Sequence, residues 1–178
     1  MAKKIIAFGA SSSIHSINKK LAIFAANQVK GADVKILDLN NYEMPIYSID
    51  KEKANGIPQL AKDFKAEIIA ADGIIISFAE HNGAYSAAFK NIMDWISRME
   101  GSTWENKPMY LLATSPGGRG GKTVLDIAVN KFQFMNKNIN VHFSLPLFNA
   151  NFSEDVGITN ENLLADFRKE LNTFEAAL

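Results

Sequence analysis

The sequence contains no cysteine, has no net charge and includes only three histidines. Without cysteine, disulfides, thiolate nucleophiles and cysteine-ligated zinc or iron–sulfur sites are excluded. Because 19 basic residues balance 19 acidic residues, the chain has no positive excess for nucleic acid or an anionic membrane. The histidines are too widely scattered along the chain to suggest a metal site. We therefore expect no metal centre and no nucleic-acid partner.

Long apolar runs are also missing. No segment approaches the roughly 18 apolar residues of a membrane-spanning helix, and the first apolar run already ends at Gly9, too early for a secretory signal. We expect a cytoplasmic protein with no membrane contact. The 178 residues, 47% of them hydrophobic, fit a single domain, residues 1–178, with a substantial core.

Short apolar runs alternate with segments of helical periodicity. The runs predict strands over residues 4–9, 33–39, 74–78, 109–113 and 140–148. The periodic segments predict helices from residue 16 onward and over 57–68, 89–96, 124–135 and 163–174, whereas the polar segment 40–56 is predicted to be a long loop. Since the strands are apolar without alternation, this βα order predicts an α/β fold, a three-layer sandwich with five parallel strands.

Polar loops follow three of the predicted strands, and in an open parallel sheet such loops converge on one crevice. The first contains Ser11, Ser13, Ser16 and Asn18 and leads into a helix. A helix N-terminus offers free N–H groups and partial positive charge, so this loop is suited to a phosphate. The alternative is that Ser16 is only a helix cap.

The spacing of this loop resembles the Ser-x-Arg-x-x-Ser-x-Asn phosphate loop of the NAD(P)H-dependent FMN reductases. These are flavodoxin-like enzymes that include azo, quinone and chromate reductases. This chain departs from the pattern at Ser13, where the family usually has arginine, so the phosphate would lack a charged bidentate partner. His15 and Lys19 are the cations nearest in sequence.

The second loop carries the most specific match. Residues 79–83 read Ala-Glu-His-Asn-Gly, and residues 90–95 read Lys-Asn-Ile-Met-Asp-Trp. They are similar to the family's Pro-Glu-Tyr-Asn-Gly and Lys-Asn-x-x-Asp-Trp signature, a loop that runs along the flavin ring. The plainer interpretation is that Asn82-Gly83 is an ordinary turn and that Trp95 is a packing residue.

The third loop permits two interpretations. Residues 121–123, Gly-Lys-Thr, match the end of a P-loop, but Pro116 stands where that motif requires its first glycine, and proline has no N–H to offer. The family resemblance instead implies that the glycines let the backbone approach a planar ring. The dipole of the helix that begins near Gly121 would then favour a reduced, anionic flavin.

The resemblance implies a flavodoxin-like sheet with strand order 2-1-3-4-5 and FMN at the carboxyl ends of its strands. It also implies which residues contact the cofactor: Ser11, Ser13, Ser16, Ile17, Asn18, Glu80, His81, Asn82, Gly83, Ser115, Pro116, Gly117 and Gly118. No protein side chain is assigned to the chemistry, because hydride transfer occurs between the cofactors.

The implied activity is hydride transfer from NADPH or NADH through bound FMN to a small acceptor such as a quinone, flavin, azo compound or metal oxyanion. The family also implies a homodimer or homotetramer. The alternative is a flavodoxin-type electron carrier that does not itself oxidise NAD(P)H. Such carriers are typically acidic, whereas this chain is neutral.

Overall fold

A five-stranded parallel sheet lies between two layers of helices in the computed structural model, which describes residues 2–178. The sheet strands are β1 (Lys4–Ala10), β2 (Asp33–Ile36), β3 (Gly73–Phe78), β6 (Met109–Thr114) and β7 (Asn140–Leu145). Their order across the sheet is β2-β1-β3-β6-β7. Counting only these five strands, the order is the predicted 2-1-3-4-5, so the fold is confirmed.

The helices alternate with these strands and cover both faces of the sheet. They are α1 (Ile17–Gln28), α2 (Ile49–Asn55), α3 (Gln59–Ala70), α4 (Ala87–Ile96), α5 (Lys122–Met135), α6 (Phe148–Asn151) and α7 (Glu161–Ala176). Among residues 2–178, no helix combines the length and apolar character needed to cross a membrane.

The prediction of a long loop over 40–56 is wrong. A 3₁₀ helix spans Leu39–Tyr42, and α2 follows it. The Ser48 side chain caps α2 by accepting a hydrogen bond from the Lys51 amide at 3.2 Å. Gly56, with φ 72°, ends the helix. These start and stop signals decide the structure despite the absence of an apolar period, because a short exposed helix needs no buried face.

The second and fifth sheet strands are shorter than predicted. Strand β2 ends at Ile36 and β7 ends at Leu145. Pro146 follows β7 without a backbone donor, Leu147 has φ 49°, and Phe148 already belongs to α6. The chain therefore leaves the sheet three residues earlier than the apolar pattern indicates.

Two small antiparallel hairpins complete the structure and were not predicted. One pairs β4 (Glu80–His81) with β5 (Ala84–Tyr85), and the other pairs β8 (Phe152–Ser153) with β9 (Gly157–Ile158). Strands of two residues produce no readable alternation, so periodicity alone cannot find them.

Separate apolar cores lie on the two faces of the sheet. On one face, α3, α4 and α5 pack over a group of aromatic residues: Phe8, Phe64, Phe78, Phe89, Trp104 and Phe132. On the other, α1 and α7 cover Ile5, Ile75, Tyr110, Phe167 and Phe174. Burying each large apolar side chain contributes about 1.5–3 kcal/mol, so both layers of helices are held firmly on the sheet.

Helix α1 lies unusually close to the end of β1. A Cβ atom at Gly9 would lie 2.5 Å from the Lys19 backbone nitrogen. Only glycine permits this approach, which brings the N-terminus of α1 directly above the carboxyl edge of the sheet. The position of the first loop therefore follows from the absence of a side chain at Gly9.

Candidate functional site

The first loop presents several hydrogen-bond donors around the N-terminus of α1. Ser16 caps the helix by accepting a hydrogen bond from the Lys19 amide at 3.2 Å, and Ser11 Oγ accepts one from the Ser13 amide at 3.1 Å. Both hydroxyls keep a proton to donate. The backbone N–H groups of Ile17 and Asn18 have no partner in the described part of the chain. Serine hydroxyls and helix amides of this kind are suited to an anion.

The Asn18 side chain is turned into the protein. It is 3% exposed, and its Oδ1 accepts hydrogen bonds from Ser77 Oγ at 2.7 Å and from the Thr114 amide at 3.0 Å. Its Nδ2 donates to the Thr114 carbonyl at 3.1 Å. Asn18 thus joins α1 to β3 and β6, and its backbone N–H is the group that faces the loop.

The second loop is the β4–β5 hairpin. Asn82 and Gly83 form its turn, with φ values of 52° and 75°. Positive φ at both positions is the mark of a type I′ turn, for which Asn-Gly is the preferred pair. Ser86 then caps α4 through the Phe89 amide and donates its hydroxyl to the Ala10 carbonyl at 2.8 Å. The hairpin is thereby anchored to the end of β1.

Glu80 connects the second loop to the third. Its Oε2 accepts a hydrogen bond from the Val124 amide at 3.2 Å, in the first turn of α5. Gly121, the residue before α5, provides no side-chain cap, so a carboxylate from another loop takes that role. The family resemblance implies that Glu80 borders the ring, and no local pattern in the sequence signals its contact with Val124. The same carboxylate offsets part of the positive dipole expected to act on a flavin.

The third loop is held in shape by backbone hydrogen bonds within the loop and to the segment that follows β7. The Gly117 carbonyl accepts hydrogen bonds from the Leu147 amide at 3.0 Å and the Gly120 amide at 3.2 Å. A side chain at Gly120 would lie 2.4 Å from Ser144 Oγ, so the loop closes tightly against β7. Gly117 and Gly118 are exposed, and their N–H groups have no partner within residues 2–178.

Lys122 takes part in this loop through its backbone, whose amide donates to the Arg119 carbonyl at 3.0 Å. Its Nζ pairs with Asp126 one turn along α5, at 3.0 Å, and its side chain lines a separate cavity beside His142. A P-loop lysine must instead reach back over its own loop. The geometry therefore supports the rejection of a nucleotide triphosphate site.

The three loops meet at a cavity of about 250 Å³. Most of the residues predicted for the site line it: Ser11, Ser13, Ser16, Ile17, Asn18, Glu80, His81, Ser115 and Pro116. Asn82, Gly83, Gly117 and Gly118 are not among its lining residues. Ala79, Thr114 and His15 line the cavity but were not among the predicted site residues. The sequence signalled Ala79 and Thr114 only through their positions next to predicted residues, whereas His15 had been noted as a cation close to the first loop.

Positive charge is scarce around this cavity. Lys19 forms a 2.5 Å ion pair with Asp38 at the end of β2. The hydrogen bond from Lys19 holds the pKa of the Asp38 carboxyl below its usual value, with further help from the Asn40 amide. Lys19 is therefore engaged elsewhere, and the residues that line the cavity include no lysine or arginine.

Comparison with known proteins identifies the family. Residues 3–151 match the model of the family described as NADPH-dependent FMN reductase. The chain belongs to this family. Its relatives include a 2-hydroxy-1,4-benzoquinone reductase from Burkholderia sp., 35% identical over 121 residues, a match that covers 67% of this chain and 64% of the relative.

Another relative is also named as a reductase. An NADPH azoreductase from Bacillus sp. (strain OY1-2) is 32% identical over 106 residues, covering 60% of this chain and 55% of the relative. The chain thus spans less than two thirds of the length of these curated relatives. Among solved structures, the flavoenzyme FerB from Paracoccus denitrificans has a TM-score of 0.78 at 22% identity, over 99% of this chain and 97% of its own. That similarity shows a shared fold.

FMN is the molecule named in the family's description. The site has the hydrogen-bond donors that FMN requires. Its phosphate needs several hydrogen-bond donors, and the first loop provides three serine hydroxyls and two free helix amides. The polar edge of its ring needs backbone donors, and the third loop exposes the amides of Gly117 and Gly118. What the site lacks is the arginine that the family pattern would place at Ser13.

Proposed function

We propose that this chain is an NAD(P)H-dependent oxidoreductase that binds FMN where the three loops meet and passes reducing equivalents to a small acceptor. The observation that carries the proposal is that two groups of hydrogen-bond donors, one in the first loop and one in the third, lie at the same edge of the sheet. The hydroxyls and amides of the first loop suit a phosphate, and the exposed amides of the third loop suit a polar ring edge. Family membership and the names of its relatives support it.

The proposed roles follow from these contacts. Ser11, Ser13 and Ser16 hold the phosphate together with the amides of Ile17 and Asn18. The β4–β5 hairpin and residues 115–118 border the ring and restrict the approach of water. FMN supplies the hydride-accepting chemistry when bound. In this proposal Asn18 and Glu80 position the loops through their buried hydrogen bonds.

The remaining parts of the proposal rest on the composition of the sequence and on the family. They are a single FMN-binding domain over residues 1–178, assembly as a homodimer or homotetramer, a cytoplasmic location, and an acceptor drawn from quinones, flavins, azo compounds and metal oxyanions. The names of two relatives, a benzoquinone reductase and an azoreductase, favour organic acceptors among these.

The deciding experiment is a visible absorption titration of the purified protein with FMN, followed by anaerobic addition of NADPH or NADH. We expect bound-flavin bands that bleach with at least one nicotinamide. Bound flavin that neither nicotinamide bleaches would indicate an electron carrier. Absence of binding at micromolar FMN would contradict the proposal altogether.

Riboflavin is the matched ligand control, because it has the ring of FMN and no phosphate. If the first loop binds the phosphate, we expect riboflavin to bind at least roughly tenfold more weakly than FMN, since charge-assisted hydrogen bonds each contribute about 1.5–3 kcal/mol. Equal affinities would place the phosphate outside the first loop.

A further inference from the structure

Glu80 places a negative charge on the wall of the cavity where the three loops meet. Among the described residues that line this cavity, Glu80 is the only carboxylate, and none is a lysine or an arginine. The Glu80 side chain is half-buried, and its Oε2 atom accepts the hydrogen bond from the Val124 amide at 3.2 Å. The charge is therefore fixed at the start of α5, beside the residues proposed to border the flavin ring.

The β4–β5 hairpin gives Glu80 a defined position. Tyr85 lies opposite Glu80 in the hairpin, and its ring packs against Phe89 with the two centroids 5.2 Å apart. At the turn of the hairpin, a Cβ atom built on Gly83 would lie 3.8 Å from Thr123 Cγ2, an ordinary contact distance. The hairpin therefore rests on the aromatic core at one side and on the first turn of α5 at the other.

The cations nearest in sequence to the start of α5 do not neutralise Glu80. Lys122 pairs with Asp126 at 3.0 Å, and Arg119 donates to the Thr123 hydroxyl at 2.8 Å. Within residues 2–178, no basic side chain forms an ion pair with Glu80.

The group that faces the Glu80 carboxylate is the N-terminus of α5, whose dipole is equivalent to about half a positive charge. A full carboxylate charge exceeds this half charge. The wall formed by Glu80 and the start of α5 is therefore negative on balance, whereas the helix alone would make it positive.

A negative wall acts differently on the two redox states of a flavin. The oxidised ring is neutral, and the reduced ring carries negative charge at its polar edge. Charges of like sign repel, and they do so more strongly where water is partly excluded. The wall therefore weakens binding of the reduced state relative to the oxidised state. Because binding and reduction are linked, this difference lowers the reduction potential of the bound flavin.

We propose that Glu80 sets the reducing power of the bound flavin. Its carboxylate cancels the dipole of α5, which would otherwise stabilise the reduced flavin, and adds a negative charge of its own, so that the reduced flavin gives up its electrons more readily. The proposal rests on the proposed function and leaves its balance unchanged. NAD(P)H loses two electrons and a proton as a hydride, and the acceptor takes them together with one proton from water.

Glu80→Gln tests the charge, because glutamine keeps an oxygen that can accept from the Val124 amide. We expect the Kd for reduced FMN, divided by the Kd for oxidised FMN, to fall about tenfold, which corresponds to a two-electron potential about 30 mV higher. Anaerobic reduction by dithionite beside a reference dye measures the potential without any nicotinamide. Asp126→Asn, which removes an exposed carboxylate of α5 outside the cavity, is the matched control, with an expected change under about twofold.

Glu80→Asp separates the charge from the hydrogen bond. Aspartate is one methylene shorter, so it keeps the charge and is expected to lose the Val124 amide. We expect a Kd ratio within about threefold of the wild type, and Val124 amide exchange about two- to tenfold faster in the ligand-free protein. Glu80→Gln should show the reverse pattern. A potential that shifts in Glu80→Asp and stays constant in Glu80→Gln would assign Glu80 a purely structural role and overturn the proposal.

Stopped-flow measurements of the two half-reactions add an independent readout. In Glu80→Gln we expect faster reduction of the flavin by NADPH and slower reoxidation by uncharged 1,4-naphthoquinone, because a higher potential favours the first step and opposes the second. General damage to the site would slow both half-reactions, and that result would contradict the proposal.

The role of Glu80 and the proposed function fail in different ways. Bound flavin that dithionite reduces and nicotinamides do not would end the proposed function, while the potential still tests Glu80. Flavin that nicotinamides bleach, with a Kd ratio that is unchanged or higher in Glu80→Gln, would overturn the role of Glu80 alone. Absence of FMN binding to the wild-type protein would overturn both.

Discussion

At the scale of single residues, Ser13 is the position where this chain departs most clearly from its family. It lies in the candidate phosphate loop, is exposed, and has no lysine or arginine beside it among the lining residues. Lys19, the closest lysine in sequence, is paired with Asp38. The loop therefore depends on neutral donors and the dipole of α1, which bind a dianion less strongly than a bidentate guanidinium does.

Ser13→Arg should therefore tighten FMN binding. We expect the Kd to fall roughly tenfold, since a charged hydrogen bond contributes about 1.5–3 kcal/mol, less the cost of ordering the side chain. Fluorescence quenching of FMN measures the change. Ser13→Gln, which has length and a donor but no charge, is the control. Equal FMN affinities for the two variants would show that a positive charge at position 13 does not strengthen phosphate binding.

Asp38 is expected to make stability depend on pH. The hydrogen bond from Lys19 lowers its folded pKa, so its contribution is present above the unfolded value of about 3.9 and is lost as the pH falls through the folded value. Asp38→Asn keeps an acceptor for the Asn40 amide and removes the charge. We expect a loss of about 0.5–1 kcal/mol at pH 7 that shrinks below pH about 4. Urea unfolding at both pH values measures it, and a constant difference would contradict the explanation.

At the scale of elements, the approach of α1 to β1 decides where the first loop lies. Gly9 permits that approach because even a methyl group would collide with the backbone of Lys19. Asn18 then fastens the start of the helix to β3 and β6 through buried hydrogen bonds. The amides of the first loop are thus held over the sheet edge before any ligand binds, which lowers the ordering cost of binding.

Gly9→Ala is accordingly expected to destabilise the protein. A Cβ 2.5 Å from a backbone nitrogen requires α1 to move, and such overpacking typically costs about 1–3 kcal/mol. The shift should also weaken FMN binding. Gly118→Ala is the stability control, because no atom lies within 4 Å of its Cβ position, and a change under about 0.5 kcal/mol is expected. Thermal unfolding compares the two, and equal losses would disprove the packing argument.

At the scale of the whole molecule, burial is concentrated in the centre of the sheet. Strands β1, β3 and β6 each have a neighbour on both sides, and β3 and β6 are buried along their whole length. The edge strand β2 has four residues, none of them fully buried. All three candidate loops leave from the buried central strands, so a rigid support carries the exposed groups.

Amide hydrogen exchange should reproduce this gradient. We expect the slowest exchange in β1, β3 and β6, because their amides open only with global unfolding, and exchange at least about a hundredfold faster in β2 and in the β8–β9 hairpin. Mass spectrometry or NMR measures it. Uniform protection across the five strands would show that the edge does not open independently.

The sequence by itself determined the parallel sheet and the three loops, because apolar runs, glycines and helix periods are local signals that read the same in any context. The strand order came from the resemblance to the family. The sequence also predicted a turn at Asn82-Gly83. It did not predict the two-residue strands on either side of that turn. The helix at Ile49–Asn55 was missed although Ser48 and Gly56 mark its ends, because the segment lacks an apolar face.

Only the tertiary structure decided how the candidate site is assembled. In the folded protein the Asn18 side-chain amide points inward and bonds to β6, and the Glu80 carboxylate accepts from the first turn of α5. Lys19 forms an ion pair with Asp38. These contacts join residues 19 to 96 positions apart, and no local pattern encodes them. The partners of a side chain depend on which elements the fold brings together. The sequence therefore predicts which residue types form a site, whereas the role of each residue depends on the folded structure.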